Sequence, residues 1–140
     1  FLILDLPPGT GDIQLTIVQT AELDGVVVVT TPQEVALIDA RKAIGLFERV
    51  ETPILGIIEN MSYFQCPSDG KIYHIFGEGG GEREAAKLGV PLLGKIPLDI
   101  STRSGGDEGR PVALEDPGQN PVSAAFRQVA EQCARVVLDR

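Results

Sequence analysis

Asp5 closes an apolar run, Phe1 to Leu6, and the chain then reads Pro7-Pro8-Gly9-Thr10-Gly11-Asp12. A carboxylate at the tip of a buried apolar strand is costly to bury unless something pairs with it. A magnesium-bound water is one such partner, and Gly9 and Gly11 would let backbone N–H groups approach a phosphate closely. The same residues also fit a plainer arrangement, in which a strand end leads through a Pro/Gly turn to a helix N-cap at Asp12. Phosphate binding in such a setting relies on a loop of the form Gly-x-x-x-x-Gly-Lys-Ser/Thr, and the sequence contains none. Its glycine-rich run, Phe76 to Glu82, has no lysine after it and carries Glu78 and Glu82, which repel phosphate. That run reads as a flexible loop leading into a helix.

The elements that must position these residues follow from apolar patterning. Phe1 to Leu6, Gly25 to Thr31, Pro53 to Glu59 and Pro91 to Ile96 are rich in Val, Ile or Leu without polar alternation, as strands covered on both faces are. Between them, helical spacing predicts helices over Asp12 to Leu23, Pro32 to Val50 (with Pro32 in the first turn), Gly81 to Leu88 and Pro121 to Leu138. Gly89 fits a C-cap, and Cys133 falls on the apolar face of the last helix as a core residue. Asp39, Arg41 and Lys42 read as solvated helix charge. Strands alternating with helices predict an α/β fold, a doubly wound and mostly parallel sheet with flanking helices, whose ligands sit beyond the carboxyl ends of the strands.

Residues 63–76 read as a hairpin-like excursion turning at Ser68-Asp69-Gly70, and residues 101–120, rich in Gly, Pro and acid, as a surface loop. The whole chain, 1–140, reads as one partial domain. It opens on Phe1-Leu2-Ile3-Leu4, the middle of a strand, with no initiator Met, so a fragment is expected.

Apolar residues make up 43% of the chain and charged residues 23%, a composition able to build a core. The formal net charge of −8 makes nucleic acid a poor partner. Two cysteines, Cys66 and Cys133, are too few for a disulfide scaffold and suit a reducing, cytoplasmic setting. No apolar run approaches the roughly 20 residues of a membrane span.

Asp5 to Asp12 resembles the switch II segment of the Mrp/ApbC family of P-loop ATPases, the iron–sulfur cluster carriers related to MinD/ParA ATPases and nitrogenase iron protein. Thr30 to Lys42, Gly56 to Ser62 and Leu93 to Leu98 agree with the same family, in register over nearly the whole chain. The resemblance implies a P-loop NTPase fold lacking its N-terminal P-loop segment, with ATP and Mg2+ as cofactors. It implies that Asp5 is the Walker B acid holding the magnesium through water and that Gly9 senses the γ-phosphate. It places Pro7, Asn60, Pro97 and Asp99 at the nucleotide, with Asn60 reading adenine; on its residue type alone Asn60 is a capping side chain. Thr30 and Thr31 fall near the nucleotide at a strand tip.

In this family the segment after Asn60 carries a Cys-x-x-Cys pair, and a homodimer holds an iron–sulfur cluster between two such pairs for delivery to recipient apoproteins. Here Cys66 is present and the second position is Asp69. A mixed site drawing on Asp69 and His74 is one arrangement, and loss of the cluster, leaving a scaffold or interaction domain, is another. A MinD/ParA-like ATPase is the further alternative. Without a P-loop this chain alone is expected to be inactive, and in related ATPases the P-loop strand lies between the Walker B strand and the next one, so its absence would leave two unpaired edges. It is also expected either to pair Phe1 to Leu6 directly with Gly25 to Thr31 or to borrow a strand from another chain.

Overall fold

The structure, a computed structural model, describes residues 1–9 and 11–139. Thr10 of the Asp5–Asp12 segment and Arg140 lie outside them. The element order is α1 (Asp12–Thr20), β1 (Val26–Thr30), α2 (Glu34–Arg49), β2 (Ile54–Glu59), β3 (Phe64–Gln65), β4 (Ile72–Tyr73), α3 (Gly80–Leu88), β5 (Leu92–Lys95), α4 (Ile100–Asp107) and α5 (Pro121–Leu138), with a short 3-10 turn at Val112–Leu114 before α5.

β1, β2 and β5 form a parallel sheet in the order β1-β2-β5, with Val28 beside Ile57 and Glu59 beside Lys95. Continuous apolar runs become strands here because helices cover them. Val28, Ala40, Ile44, Ile57 and Ala85 form one buried cluster from β1, α2, β2 and α3. α5 packs against β5 and β2, and Gly94 is required there because a Cβ would stand 2.4 Å from Val129 Cγ2. The mostly parallel sheet with flanking helices is the fold class expected from the sequence.

Several local expectations need correction. Phe1 to Leu6 is not a strand: Phe1, Leu2 and Ile3 are 86%, 88% and 86% exposed. An extended apolar segment becomes a strand only beside another that supplies ladder partners. Among the described residues nothing hydrogen-bonds residues 1–6, so the direct pairing with β1 does not form and β1 is an open edge. Asp12 is the first helical residue of α1 and Gly11 its N-cap; α1 ends at Thr20, while Pro32 precedes the Gln33 N-cap of α2.

Residues 101–120 are not all loop, because Asp99 caps α4. Gly105, which argued against a helix, is needed where a Cβ would meet the Arg110 carbonyl oxygen at 2.5 Å. Nor does the glycine run after Phe76 lead loosely into its helix. Gly80 and Gly81 are buried, and a Cβ on Gly80 would stand 2.3 Å from the Pro32 carbonyl oxygen.

Arg41 is more than solvated charge. It bridges α2 to α3 by donating to both carboxylate oxygens of Glu84, at 2.9 and 2.6 Å, and it also meets Glu34 at 2.6 Å. Glu84 is buried, and Lys87 adds a contact at 2.9 Å. The Arg41 hydrogen bond, chiefly, holds the Glu84 carboxyl down at about 2 against the opposing effect of burial. A carboxyl depressed by folding stabilises above its unfolded value and loses that contribution as protons bind the native state. The clamp therefore weakens as pH falls from 4.5 toward about 2. The thermal midpoint of wild type should fall more steeply over that window than that of Arg41→Met. Parallel curves would show that the clamp does not couple folding to pH.

Candidate functional site

All three strands of the parallel sheet run the same way, so their carboxyl ends share one edge. The backbone ladder continues past that edge. Asn60 N–H donates to Thr30 O at 2.7 Å, Ile96 N–H to Glu59 O at 2.9 Å, Ser62 N–H to Ile96 O at 3.0 Å and Leu98 N–H to Tyr63 O at 2.7 Å. Asn60 and Pro97 are thereby held on adjoining segments at the strand tips, where ligands of open α/β sheets sit.

Asn60 Oδ1 accepts the Met61 N–H at 3.0 Å, and its Nδ2 has no partner among the described residues. Met61 sits at φ 50°, a strained value for a non-glycine residue that persists only where the surroundings hold it. Thr31 Oγ1, at the adjoining tip of β1, is buried with no partner among the described residues. Buried hydroxyls are normally satisfied, so this one is available to a further group. The Asn60 amide is thus a donor without a partner and the Thr31 hydroxyl an unused donor and acceptor among the described residues, hydrogen-bonding types that the edge of a nucleotide base can meet, while Pro97 offers only its ring and carbonyl.

Asp99 has another job. Its Oδ2 accepts the Thr102 N–H at 2.9 Å, the Thr102 hydroxyl at 3.3 Å and the Ser101 hydroxyl, which makes it the N-cap of α4. Partial burial pushes its carboxyl upward, and the hydrogen bonds from Ser101 and Thr102 together outweigh it, leaving it below its ordinary value. A cavity of about 250 Å³ opens beside this cap, lined by Phe64, Ile75, Leu98, Asp99, Ile100 and Arg103.

Asp5 is exposed and has no hydrogen-bond partner among the described residues. Gln14 Nε2 donates to Pro7 O at 2.6 Å and to Pro8 O at 3.3 Å, which ties the segment to α1. Gly9 adopts φ 97°, a conformation open to glycine, with nothing within 4 Å of where a Cβ would stand. The structure thus puts Asn60 and Pro97 on adjoining segments, with Asp99 two residues beyond Pro97 at the α4 cap, and no hydrogen bond or ion pair joins Asp5, Pro7 or Gly9 to them among the described residues.

The expected hairpin forms from β3 and β4. At its tip Cys66 N–H donates to Lys71 O and Gly70 N–H to Cys66 O, both at 2.9 Å, with Gly70 at φ 69°. Asp69 Oδ1 accepts the Lys71 N–H at 3.0 Å. Cys66 Sγ lies 3.0 Å from Ser68 Oγ, and that hydroxyl, followed by the backbone N–H groups of Ser68 and Asp69, draws the half-buried thiol below its ordinary value.

His74 turns away from the tip: Nδ1 lies 3.4 Å from Ser62 O and Nε2 3.5 Å from Glu78. Among the described residues no three His, Cys, Asp or Glu side chains gather to hold a metal, so a mixed Cys/Asp/His site is not assembled within one chain. Cys133 is half-buried rather than core, and burial raises its thiol.

A sequence profile of the ParA family, described as NUBPL iron-transfer P-loop NTPase, matches residues 1–134. The chain belongs to this family. It is 51% identical over 132 residues to an iron–sulfur cluster carrier protein of Pyrococcus furiosus, a match covering 94% of this chain and 44% of that protein. The chain therefore spans about half the length of the curated relatives it matches. A nucleotide-binding protein from Archaeoglobus fulgidus, solved in complex with ADP, superposes with a TM-score of 0.66 at 44% identity, covering 75% of this chain and 43% of that one. The cell division ATPase MinD of Pyrococcus furiosus superposes with a TM-score of 0.61 at 26% identity, covering 81% and 43% of the two chains.

The sequence reading missed Glu59 and Ser62. Glu59 is wholly buried at the end of β2, where Oε1 accepts the Ser62 hydroxyl at 2.5 Å and Oε2 the Gly81 N–H at 2.6 Å. The signal was present, since an acid closes the apolar run Pro53 to Glu59 just as Asp5 stands near the end of Phe1 to Leu6.

Proposed function

We propose that this chain supplies the base-reading edge and the cysteine-bearing hairpin of an ATP-dependent iron–sulfur cluster carrier that works as a homodimer. The observation that carries this reading is the shared edge. The turn with the free Asn60 amide continues directly into the Cys66 hairpin, and Phe64 of β3 bridges to Leu98 of the Pro97 loop. The carrier named among the relatives and the relative solved with ADP support it.

In this reading Asn60 and Pro97 hold adenine, with Thr31 beside them and Asp99 fixing the loop through α4. Asp5 holds magnesium through water, Gly9 meets the γ-phosphate and Pro7 keeps their segment tied to α1. Magnesium, when bound, supplies positive charge against the phosphate oxygens. Asp5 fits that task because its carboxylate is uncommitted.

The cluster is the cargo, and Cys66 is its ligand because thiolate is soft and the Ser68 hydroxyl beside this thiol draws it below its ordinary value. Two copies offer two thiolates, with Asp69 in place of the remaining pair. The recipients are apo iron–sulfur proteins. Free thiols suit a reducing, cytoplasmic location. No described helix is long and apolar enough to cross a membrane. α5 packs on the sheet and pairs Arg127 with Glu131 at 3.1 Å, unlike the basic surface helix that a membrane-recruited MinD-like ATPase would use.

Anaerobic reconstitution of the full-length protein with iron and sulfide tests the cargo. Wild type should gain visible charge-transfer absorbance that Cys66→Ser lacks. Equal absorbance in the two would favour the cluster-free scaffold, the reading to which Asp69 points.

A further inference from the structure

Glu59 is 0% exposed, and among the described residues no lysine, arginine or histidine forms an ion pair with its carboxylate; Lys95, its neighbour on β5, pairs with Glu82 instead. Only neutral donors satisfy it, the Ser62 hydroxyl on Oε1 and the Gly81 N–H at the start of α3 on Oε2. A buried carboxylate without a cation is retained at a cost, so its placement calls for a reason. The geometry offers one. Glu59 and Ser62 bracket Asn60 and Met61, and Ile96 grips both ends through the Glu59 O and Ser62 N–H contacts.

The bracketed turn holds Met61 at φ 50° and fixes Asn60 Oδ1 on the Met61 N–H, which leaves Nδ2 as the outward donor. Gly81 approaches closely here, since a Cβ would stand 3.1 Å from Glu59 Cβ and Oε2 and would press on the carboxylate. Ser62 O also meets His74 Nδ1 at 3.4 Å, so the bracket reaches the exit of the cysteine hairpin.

We infer that Glu59 and Ser62 are positioning residues for base recognition: their buried hydrogen bond, anchored on α3, holds the turn that aims the Asn60 amide at an adenine base. This rests on the nucleotide reading above. It assigns base selectivity to a carboxylate that never touches the ligand. Glu59→Gln retains a carbonyl for Gly81 N–H and an amide that can donate to Ser62 Oγ. Glu59→Met fills the same volume and leaves both donors unpaired. Ser62→Ala removes one hydroxyl only.

The test is calorimetric binding of ADP and of GDP to the full-length protein and these variants, with Asn60→Ala as comparator. Wild type should prefer ADP, and Asn60→Ala should erase that preference. Glu59→Met and Ser62→Ala should each reduce the ADP/GDP affinity ratio about tenfold, as loss of one well-placed hydrogen bond would. Glu59→Gln should stay close to wild type, and Ser62→Ala added to Asn60→Ala should lower the ratio no further. General loosening of the fold weakens both nucleotides in proportion and leaves the ratio unmoved. If Ser62→Ala and Glu59→Met keep the wild-type ratio while Asn60→Ala loses it, the positioning role falls and the nucleotide reading stands. If wild type binds neither diphosphate, the nucleotide reading falls and this inference with it.

Discussion

Alanine at Asp5 in the full-length protein should lower ATP turnover about 10²–10³-fold, the usual size of losing one group that stabilises transition-state charge. The fold should be untouched. Asp5 is exposed and has no hydrogen-bond partner among the described residues, so truncation breaks nothing that the folded chain uses. An acid held in the native state without a partner is an acid free for an external cation, and a hydrated magnesium takes few protein carboxylates. Asparagine in its place would keep the shape and lose the charge, so Asp5→Asn should fall nearly as far as Asp5→Ala. Phosphate release and the thermal midpoint, measured on the same preparations, separate the two consequences. Undiminished turnover removes Asp5 from the mechanism. A lowered midpoint with normal turnover would recast it as a structural acid. Gly9→Ala provides a backbone counterpart, because alanine strains at φ 97° even though nothing crowds its Cβ.

Much of the architecture was legible wherever local chemistry and tertiary context agree. Asn120-Pro121 announces α5, with the Asn120 side chain accepting the Val122 N–H at 2.8 Å and Pro121 lacking the donor a first turn would waste. Gly89 ends α3 at φ 67°, as the sequence suggested. Other elements depended on packing that composition does not show. Residues 101–120 read as loop for their Gly, Pro and acid, yet Ile100–Asp107 is helical, and Gly105 leaves room for the Arg110 carbonyl five residues on. Phe1 to Leu6 has the intrinsic properties of a strand and, among the described residues, no neighbour to complete it.

The candidate site divides in the same way. Asn60 and Pro97 could be placed at strand tips from apolar patterning, and the ladder through Ile96 joins them. Asp99 was assigned to the nucleotide, whereas its Oδ2 is committed to α4, a role visible only once Ser101 and Thr102 are seen to be helical. Glu59 escaped notice because one acid at the end of an apolar run looks the same whether a ligand or a neighbouring helix satisfies it. In this chain Gly81 and Ser62 do so.

Ile57→Ala should be the most costly of these substitutions for stability, by about 2–5 kcal/mol, the range for removing most of a buried aliphatic side chain. Ile57 is 0% exposed on the central strand, next to Val28 of β1 and Leu92 of β5, and it packs in the cluster with Ala40, Ile44 and Ala85. Parallel pairing on both flanks fixes the backbone, so neighbours cannot close readily over the missing atoms and much of the cavity cost is kept. A loss of that size lowers the thermal midpoint of a chain this long by roughly 6–20 °C. The comparison with Leu2→Ala makes the prediction sharp, because Leu2 is as apolar and is 88% exposed. In the chain as it stands, Leu2→Ala should change the midpoint hardly at all, while in an assembly that supplies a strand beside residues 1–6 the same change should cost several degrees. An Ile57→Ala midpoint within a degree of wild type would mean that β2 is not the centre of the core. Equal costs for Ile57 and Leu2 in the isolated chain would mean that Phe1 to Leu6 finds a strand partner in solution, by borrowing one from a second copy.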